Sequence, residues 1–125
     1  MRKPSVLVVD DEPLIRWSLS EGLTDAGYPV RLAGNAAEAR AALVAVGDEP
    51  LVVILDLRLP DAVDLSLLAE IRRRWPGAVV VMMSAHGNSE DMKRAAELGA
   101  YRFVEKPFDV TAVVRLVGEA WESKA

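Results

Sequence analysis

The 125-residue sequence contains no cysteine, which excludes disulfides, thiolate catalysis and cysteine-ligated zinc. It has a single histidine, His86, so a multi-histidine metal centre is excluded as well. Long apolar runs are also missing. The amino end reads Met1-Arg2-Lys3-Pro4, and the apolar stretch at residues 6–9 is broken at once by Asp10 and Asp11. That stretch is far too short for a signal-peptide core or a membrane span, so the expectation is a cytoplasmic chain with no membrane partner. Positive charge is in the minority, 15 Lys and Arg against 19 Asp and Glu, for a net charge of -4. This argues against a general grip on nucleic acid while leaving room for a local basic patch. Direct nucleic-acid contact is therefore expected of a different domain or partner.

What the chain does have is apolar residues, 51% by composition. That suffices for one ordinary core, and a single domain over residues 1–125 is expected. Val6-Leu7-Val8-Val9, residues 51–55 and residues 79–83 are continuous apolar runs, as expected of strands covered on both faces. Shorter strands are expected at residues 29–33 and 101–104. Between them the apolar spacing turns helical: Leu14, Ile15, Leu19, Leu23 and Ala26, then Ala39, Ala42, Leu43 and Val46, then Leu67, Leu68 and Ile71. Met92, Ala95, Ala96 and Leu98 form the next group, and Val113, Val114, Leu116, Val117 and Trp121 the last. Asn35 with Glu38 reads as a capping box, and Asn88 or Ser89 and then Asp109 as later helix starts. Five strands alternating with five helices imply an α/β fold: a doubly wound parallel sheet with right-handed crossovers, strand order 2-1-3-4-5, and the first, third and fourth strands central.

In such a sheet, ligands bind beyond the carboxyl ends of the strands, where the winding reverses. The residues that follow the apolar runs are Asp10 and Asp11, Asp56, Ser84 and, just past the fifth strand, Lys106. Three carboxylates at one edge repel one another unless a cation sits among them. An oxygen-only set suits Mg²⁺, completed by phosphate oxygens of a substrate. Asp56 then serves as metal ligand and nucleophile toward phosphorus, with Lys106 offsetting charge on the transferring oxygens and Ser84 donating to a third. Taken singly, each residue has a plainer use: Asp10-Asp11 as a cap before Pro13, Ser84 as a loop hydroxyl, Lys106 as a solvated charge. It is their joint placement that points to chemistry.

Four segments carry a resemblance: Val8-Val9-Asp10-Asp11-Glu12-Pro13, Leu55-Asp56-Leu57-Arg58-Leu59-Pro60, Met83-Ser84-Ala85-His86, and Gly99-Ala100-Tyr101-Arg102-Phe103-Val104-Glu105-Lys106-Pro107-Phe108. Together they resemble the receiver domain of two-component response regulators over essentially the whole chain. The resemblance implies a flavodoxin-like three-layer (βα)5 domain that is not a turnover enzyme. It implies Asp56 as phosphoacceptor, a sensor histidine kinase as donor, and Mg²⁺ (or Mn²⁺) as cofactor. The ion would be bound directly by Asp11, Asp56 and the Arg58 backbone carbonyl, and through water by Asp10. Ser84 takes the Thr/Ser switch position, Phe103 the aromatic switch position in place of the more conspicuous Tyr101, and Lys106 the phosphate-contacting position, with Lys106-Pro107 typically cis. Output would pass through the surface of the fourth helix, fifth strand and fifth helix, the usual homodimer interface.

Arg58 and His86, two residues after Asp56 and Ser84, stand where the family tunes access of hydrolytic water; plain loop exposure is the alternative. His86 on a loop is a poor phosphorelay histidine. Asp64 stands where the family often has Gly and is a candidate cap for the third helix; Leu59 replaces a frequent Met. Ile15-Arg16-Trp17 resembles receivers of sigma-54-dependent transcription activators, although Trp17 could equally be a packing group of the first helix. On that resemblance an ATPase and a DNA-binding output domain would follow Ala125, with a stand-alone regulator as the alternative. A Mg²⁺ phosphohydrolase is a competing class, but Arg58 stands where a general acid would be needed. A pure interaction module and a flavin-binding module compete less well, the first because the five-residue set is intact, the second because Asp10 and Asp11 repel a phosphate.

Overall fold

The computed structural model describes residues 3–62, 65–85 and 88–124. Its elements alternate in chain order: β1 (Ser5–Val9), α1 (Pro13–Asp25), β2 (Val30–Ala33), α2 (Ala36–Val46), β3 (Leu51–Asp56), α3 (Ser66–Arg74), β4 (Val79–Ser84), α4 (Ser89–Glu97), β5 (Arg102–Glu105) and α5 (Val110–Ser123). All strand pairs are parallel and the order is β2-β1-β3-β4-β5. The expected doubly wound topology, with β1, β3 and β4 inside the sheet, is what forms.

The unbroken apolar runs have a direct cause. Side chains alternate faces along a strand, and both faces of these strands are covered. Val6 and Val8 of β1, with Val52 and Ile54 of β3, pack against Leu19 and Leu23 of α1 and Val113 and Val117 of α5. Leu7, Val9, Val53 and Leu55 point the other way, into a cluster with Leu43 of α2 and Leu67, Leu68 and Ile71 of α3. Each fully buried Leu or Val is worth about 1.5–3 kcal/mol relative to exposure, and this sets the register. Val9 pairs with Leu55 and Asp56 with Met83, while Ser84 pairs with Glu105. The strand ends are thereby level.

Local signals behave as the sequence suggests, with informative exceptions. Asn35 caps α2 by accepting the Glu38 N–H at 2.8 Å, but the Glu38 carboxylate accepts from Gly34 N at 2.7 Å and not from Asn35. Asn88 and Asp109 cap α4 and α5. The first residue of α3 is Ser66, preceded by Leu65 without a side-chain cap; the Asp64 cap expectation lies outside the described residues. Leu14, expected on the inner face of α1, is 71% exposed, because Ile15, Leu19 and Leu23, four residues apart, form the stripe that packs on the sheet and Leu14 lies off it. Trp17 is exposed too, so it is no packing group. On α4 only Ala95 is buried; Met92 and Ala96, expected beside it, face solvent. Among the described residues no helix is long and apolar enough to cross a membrane.

The crossing of α1 and α5 is set by Gly22, where an added Cβ would stand 2.6 Å from Val110 Cγ1 and 3.3 Å from Val114 Cγ2. A mid-helix Gly→Ala change ordinarily gains about 1 kcal/mol in helix propensity. Here two stiff β-branched side chains meet the new methyl, and overpacking costs roughly 1–3 kcal/mol. Gly22→Ala is therefore expected to lower the urea midpoint of unfolding; a midpoint equal to or above wild type would contradict this packing.

Candidate functional site

The level strand ends bring the acidic residues together. One carboxylate oxygen from each of Asp10, Asp11 and Asp56 lies within 4.8 Å of the others. Asp10 is fully buried and Asp56 nearly so, while Asp11 is exposed. The Lys106 ammonium enters from the far side of the sheet edge, 2.7 Å from Asp10 Oδ2 and 3.3 Å from Asp56 Oδ2, and 3.5 Å from the exposed Glu12 carboxylate. Buried Ser84 ends β4, and its carbonyl accepts from Lys106 N at 2.8 Å, which ties the lysine to that strand. The Lys106-Pro107 bond is cis, as expected.

The two loops that carry the acids are fastened locally. Asp10 N donates to Ala33 O at 3.0 Å, and Asp10 Oδ1 accepts from Glu12 N at 2.9 Å. The plainer reading of Asp10-Asp11 as a cap of α1 does not hold: Glu12 precedes the helix with no side-chain cap, and Asp10 Oδ1 is taken by Glu12 N, two residues on. Arg16 Nη1 reaches back from α1 to the Asp10 carbonyl at 2.6 Å. After β3, Arg58 N donates to Asp56 Oδ1 at 3.3 Å, and Leu57 N to Met83 O at 2.9 Å. Arg58 itself is exposed. Phe103, half-buried, pairs with Met82 in β5, two residues before the partner of Ser84, and packs against the cluster on the α2 and α3 side. Tyr101 lies beside Arg102, 5.2 Å from its guanidinium. His86 lies outside the described residues.

The sequence reading gave no role to Arg16 or Glu12. Both had a faint signal: Arg16 is a cation one helical turn past the acidic pair, and Glu12 completes the acidic run.

The electrostatics follow from crowding. Burial first, and then the negative charge of Asp10, push the Asp56 carboxyl above the ordinary aspartate value, against the pull of Lys106 and the Arg58 N–H. For Lys106, burial works toward a lower value, but its close contact with Asp10 and the charges of Asp56 and Asp10 raise it overall. Asp10 Oδ2 is buried with no donor aligned for a hydrogen bond, since Lys106 meets it as an ion pair. An oxygen-only donor set of three carboxylates holding excess negative charge fits a hard divalent cation.

An aspartate with a raised folded-state value binds protons more readily folded than unfolded. The stability of the metal-free chain therefore falls as pH rises from the ordinary aspartate value to the raised one, and the penalty is complete above it. Asp56→Asn is expected to raise the melting temperature at neutral pH in chelator-containing buffer, with the advantage shrinking in acid. A mutant that melts at or below wild type under those conditions would refute this balance.

The sequence profile of the response regulator receiver domain matches residues 6–117. The DNA-binding transcriptional regulator NtrC of Bradyrhizobium sp. (strain RP501 Parasponia) is 40% identical over 117 residues, 93% of this chain and 24% of that protein. The chain spans about a quarter of the length of the curated relatives it matches first. The receiver domain of NtrX from Brucella abortus superposes with a TM-score of 0.84 at 38% identity, covering 95% of this chain and 99% of that one. The beryllofluoride-activated NtrC4 receiver domain dimer gives 0.89 at 33% identity, covering 97% of this chain and 98% of that one. Sheet order, the acidic trio and the profile match over most of the length agree, and the chain belongs to the response regulator receiver domain family.

Proposed function

We propose that residues 1–125 form one receiver domain in which Asp56 accepts a phosphoryl group from the phosphohistidine of a sensor kinase. The observation that carries this is the nearly buried Asp56 carboxylate, held 3.3 Å from Lys106 and beside Asp10 at the carboxyl edge of the sheet. Asp11, Asp56 and the Arg58 backbone carbonyl would hold Mg²⁺ (or Mn²⁺), with Asp10 acting through water. When bound, the ion supplies charge neutralisation for the carboxylates and for the transferring oxygens.

The chain's own residues do the rest. An Asp56 oxygen forms the new bond to phosphorus as the phosphorus–nitrogen bond of the donor breaks, and the imidazole leaves with the electron pair. Lys106 lies where it can follow charge from the carboxylate to the phosphoryl oxygens. Ser84 donates to a phosphoryl oxygen, and Phe103 shifts with it. Arg58 and His86, two residues after Asp56 and Ser84 in the sequence, tune access of the water that later hydrolyses the acyl phosphate, and so its lifetime. Apart from this transfer and slow self-hydrolysis, no turnover of an external substrate is proposed.

The modified state is read through the α4, β5 and α5 surface, by a second copy of the domain or by an output domain beyond Ala125, and the output controls transcription. Support comes from the relatives named as DNA-binding transcriptional regulators and from the dimer formed by the NtrC4 receiver. The cytoplasm is the matching location. DNA contact is left to the output domain, in keeping with the acidic charge balance of this one.

Intact-protein mass analysis after incubation with a small phosphodonor and Mg²⁺ should show one added phosphoryl group, absent in Asp56→Asn. Persistence of the adduct in that mutant, or no Mg²⁺ dependence, would sink the assignment. Lys106→Ala should slow adduct formation by roughly 100-fold, the usual effect of removing one donor to a developing oxyanion. Sedimentation of the modified chain should reveal dimers that charge-reversing changes on α4 and β5 abolish; an unchanged mass distribution would count against the dimer.

A further inference from the structure

Three residues beyond Arg58, the β3–α3 loop makes a contact that the site itself does not require. Leu59 and Ala62 exchange backbone hydrogen bonds, Leu59 N to Ala62 O at 2.8 Å and Ala62 N to Leu59 O at 3.3 Å, which closes a tight turn with Pro60 and Asp61 at its tip. Pro60 presets its own φ for such a turn. From the tip, Asp61 accepts Ala36 N at 2.7 Å through Oδ1 and Ala37 N at 3.1 Å through Oδ2. These are the first two helical residues of α2. Asn35 takes the Glu38 N–H and the Asn35 carbonyl takes that of Ala39, so the donors of the first turn divide between a local cap and a remote one. Backbone hydrogen bonds from Ala36 and Ala37 pull the Asp61 carboxyl below the ordinary value.

The Asn35 side chain takes one of the free donors of the first turn, Glu38 N, from next to the helix. The remote cap, from 25 residues away, does something a local cap cannot: it fixes the far end of the loop whose near end holds Asp56 and the Arg58 carbonyl. We infer that Asp61 is a positioning residue that clamps the β3–α3 turn to the amino end of α2 and so holds the Arg58 carbonyl in place for the divalent cation. This rests on the reading of Asp56 and its neighbours as a Mg²⁺ site.

The test is calorimetric titration of Mg²⁺ into the 125-residue chain and four variants. Asp61→Ala should weaken binding roughly ten-fold, the scale seen when a residue supporting a ligand is lost. Asp61→Asn, which keeps an acceptor, should recover part of it. Asn35→Ala removes the local cap of the same helix without touching the loop, and should leave the affinity at wild type while lowering stability. Amide exchange at Leu59 should accelerate in Asp61→Ala and not in Asn35→Ala. Equal Mg²⁺ affinity in wild type and Asp61→Ala, or equal weakening in Asn35→Ala, would overturn the inference while leaving the site intact. Asp56→Asn separates the two readings: if wild type binds no Mg²⁺, or binds it as well as Asp56→Asn does, the site reading falls and this inference with it.

Discussion

The structure turns on two buried carboxylates that face a single ammonium. Asp10 and Asp56 both lie under the edge of the sheet, and Lys106 is shared between them. Taking charges out of water costs several kcal/mol each, and a pair recovers that only with good geometry and full hydrogen bonding. Here the pairing is incomplete, with two buried anions to one cation. Such an arrangement weakens the fold. It persists because the continuous apolar strands on either side leave the backbone at these positions no alternative path.

Rigidity is distributed accordingly. β1 and β3, which carry the acids, lie inside the sheet with buried side chains on both faces. At the other extreme, α4 is well formed as a helix, with Asn88 accepting from Asp91 N and acids in its first turn, yet Ala95 is its one buried residue. A helix with good local signals and little docking moves as a unit at small cost. β5 lies beside it at the sheet edge with both central residues only half-buried. The site is thus built on the most constrained strands and faces the least constrained helix and strand.

Most of this was legible in the sequence because a parallel sheet writes itself plainly. Uninterrupted apolar runs mark strands covered twice, and the polar residue that ends each run marks the edge. Asp10, Asp56 and Ser84 could be gathered by that rule, and Lys106 lies one residue past Glu105, which ends the last run. The rule fails where a contact is neither periodic nor local. Arg16 looks like any helix-surface cation until the β1–α1 turn brings the Asp10 carbonyl within 2.6 Å. Asp61 looks like a turn aspartate until the loop folds onto α2. Glu38 matched a capping box in spacing, but its carboxylate found the Gly34 N–H instead. Leu14 fitted the helical spacing of α1 yet lies off the stripe of Ile15, Leu19 and Leu23 that packs on the sheet.

On the proposed reading, modification of Asp56 has consequences beyond the pocket. A phosphoryl group brings roughly one to two further negative charges and three acceptor oxygens. Lys106 already serves Asp10 and Asp56, so it cannot answer all three. The remaining donors must come from the ends of β4 and the loops around it, and Ser84 is the buried hydroxyl at that position. Drawing β4's end inward alters the space next to Phe103, which sits half-buried against Met82 with weakly docked α4 as its neighbour. The new acceptors draw their donors from the surroundings, and the part of the fold that yields is the part least tied down.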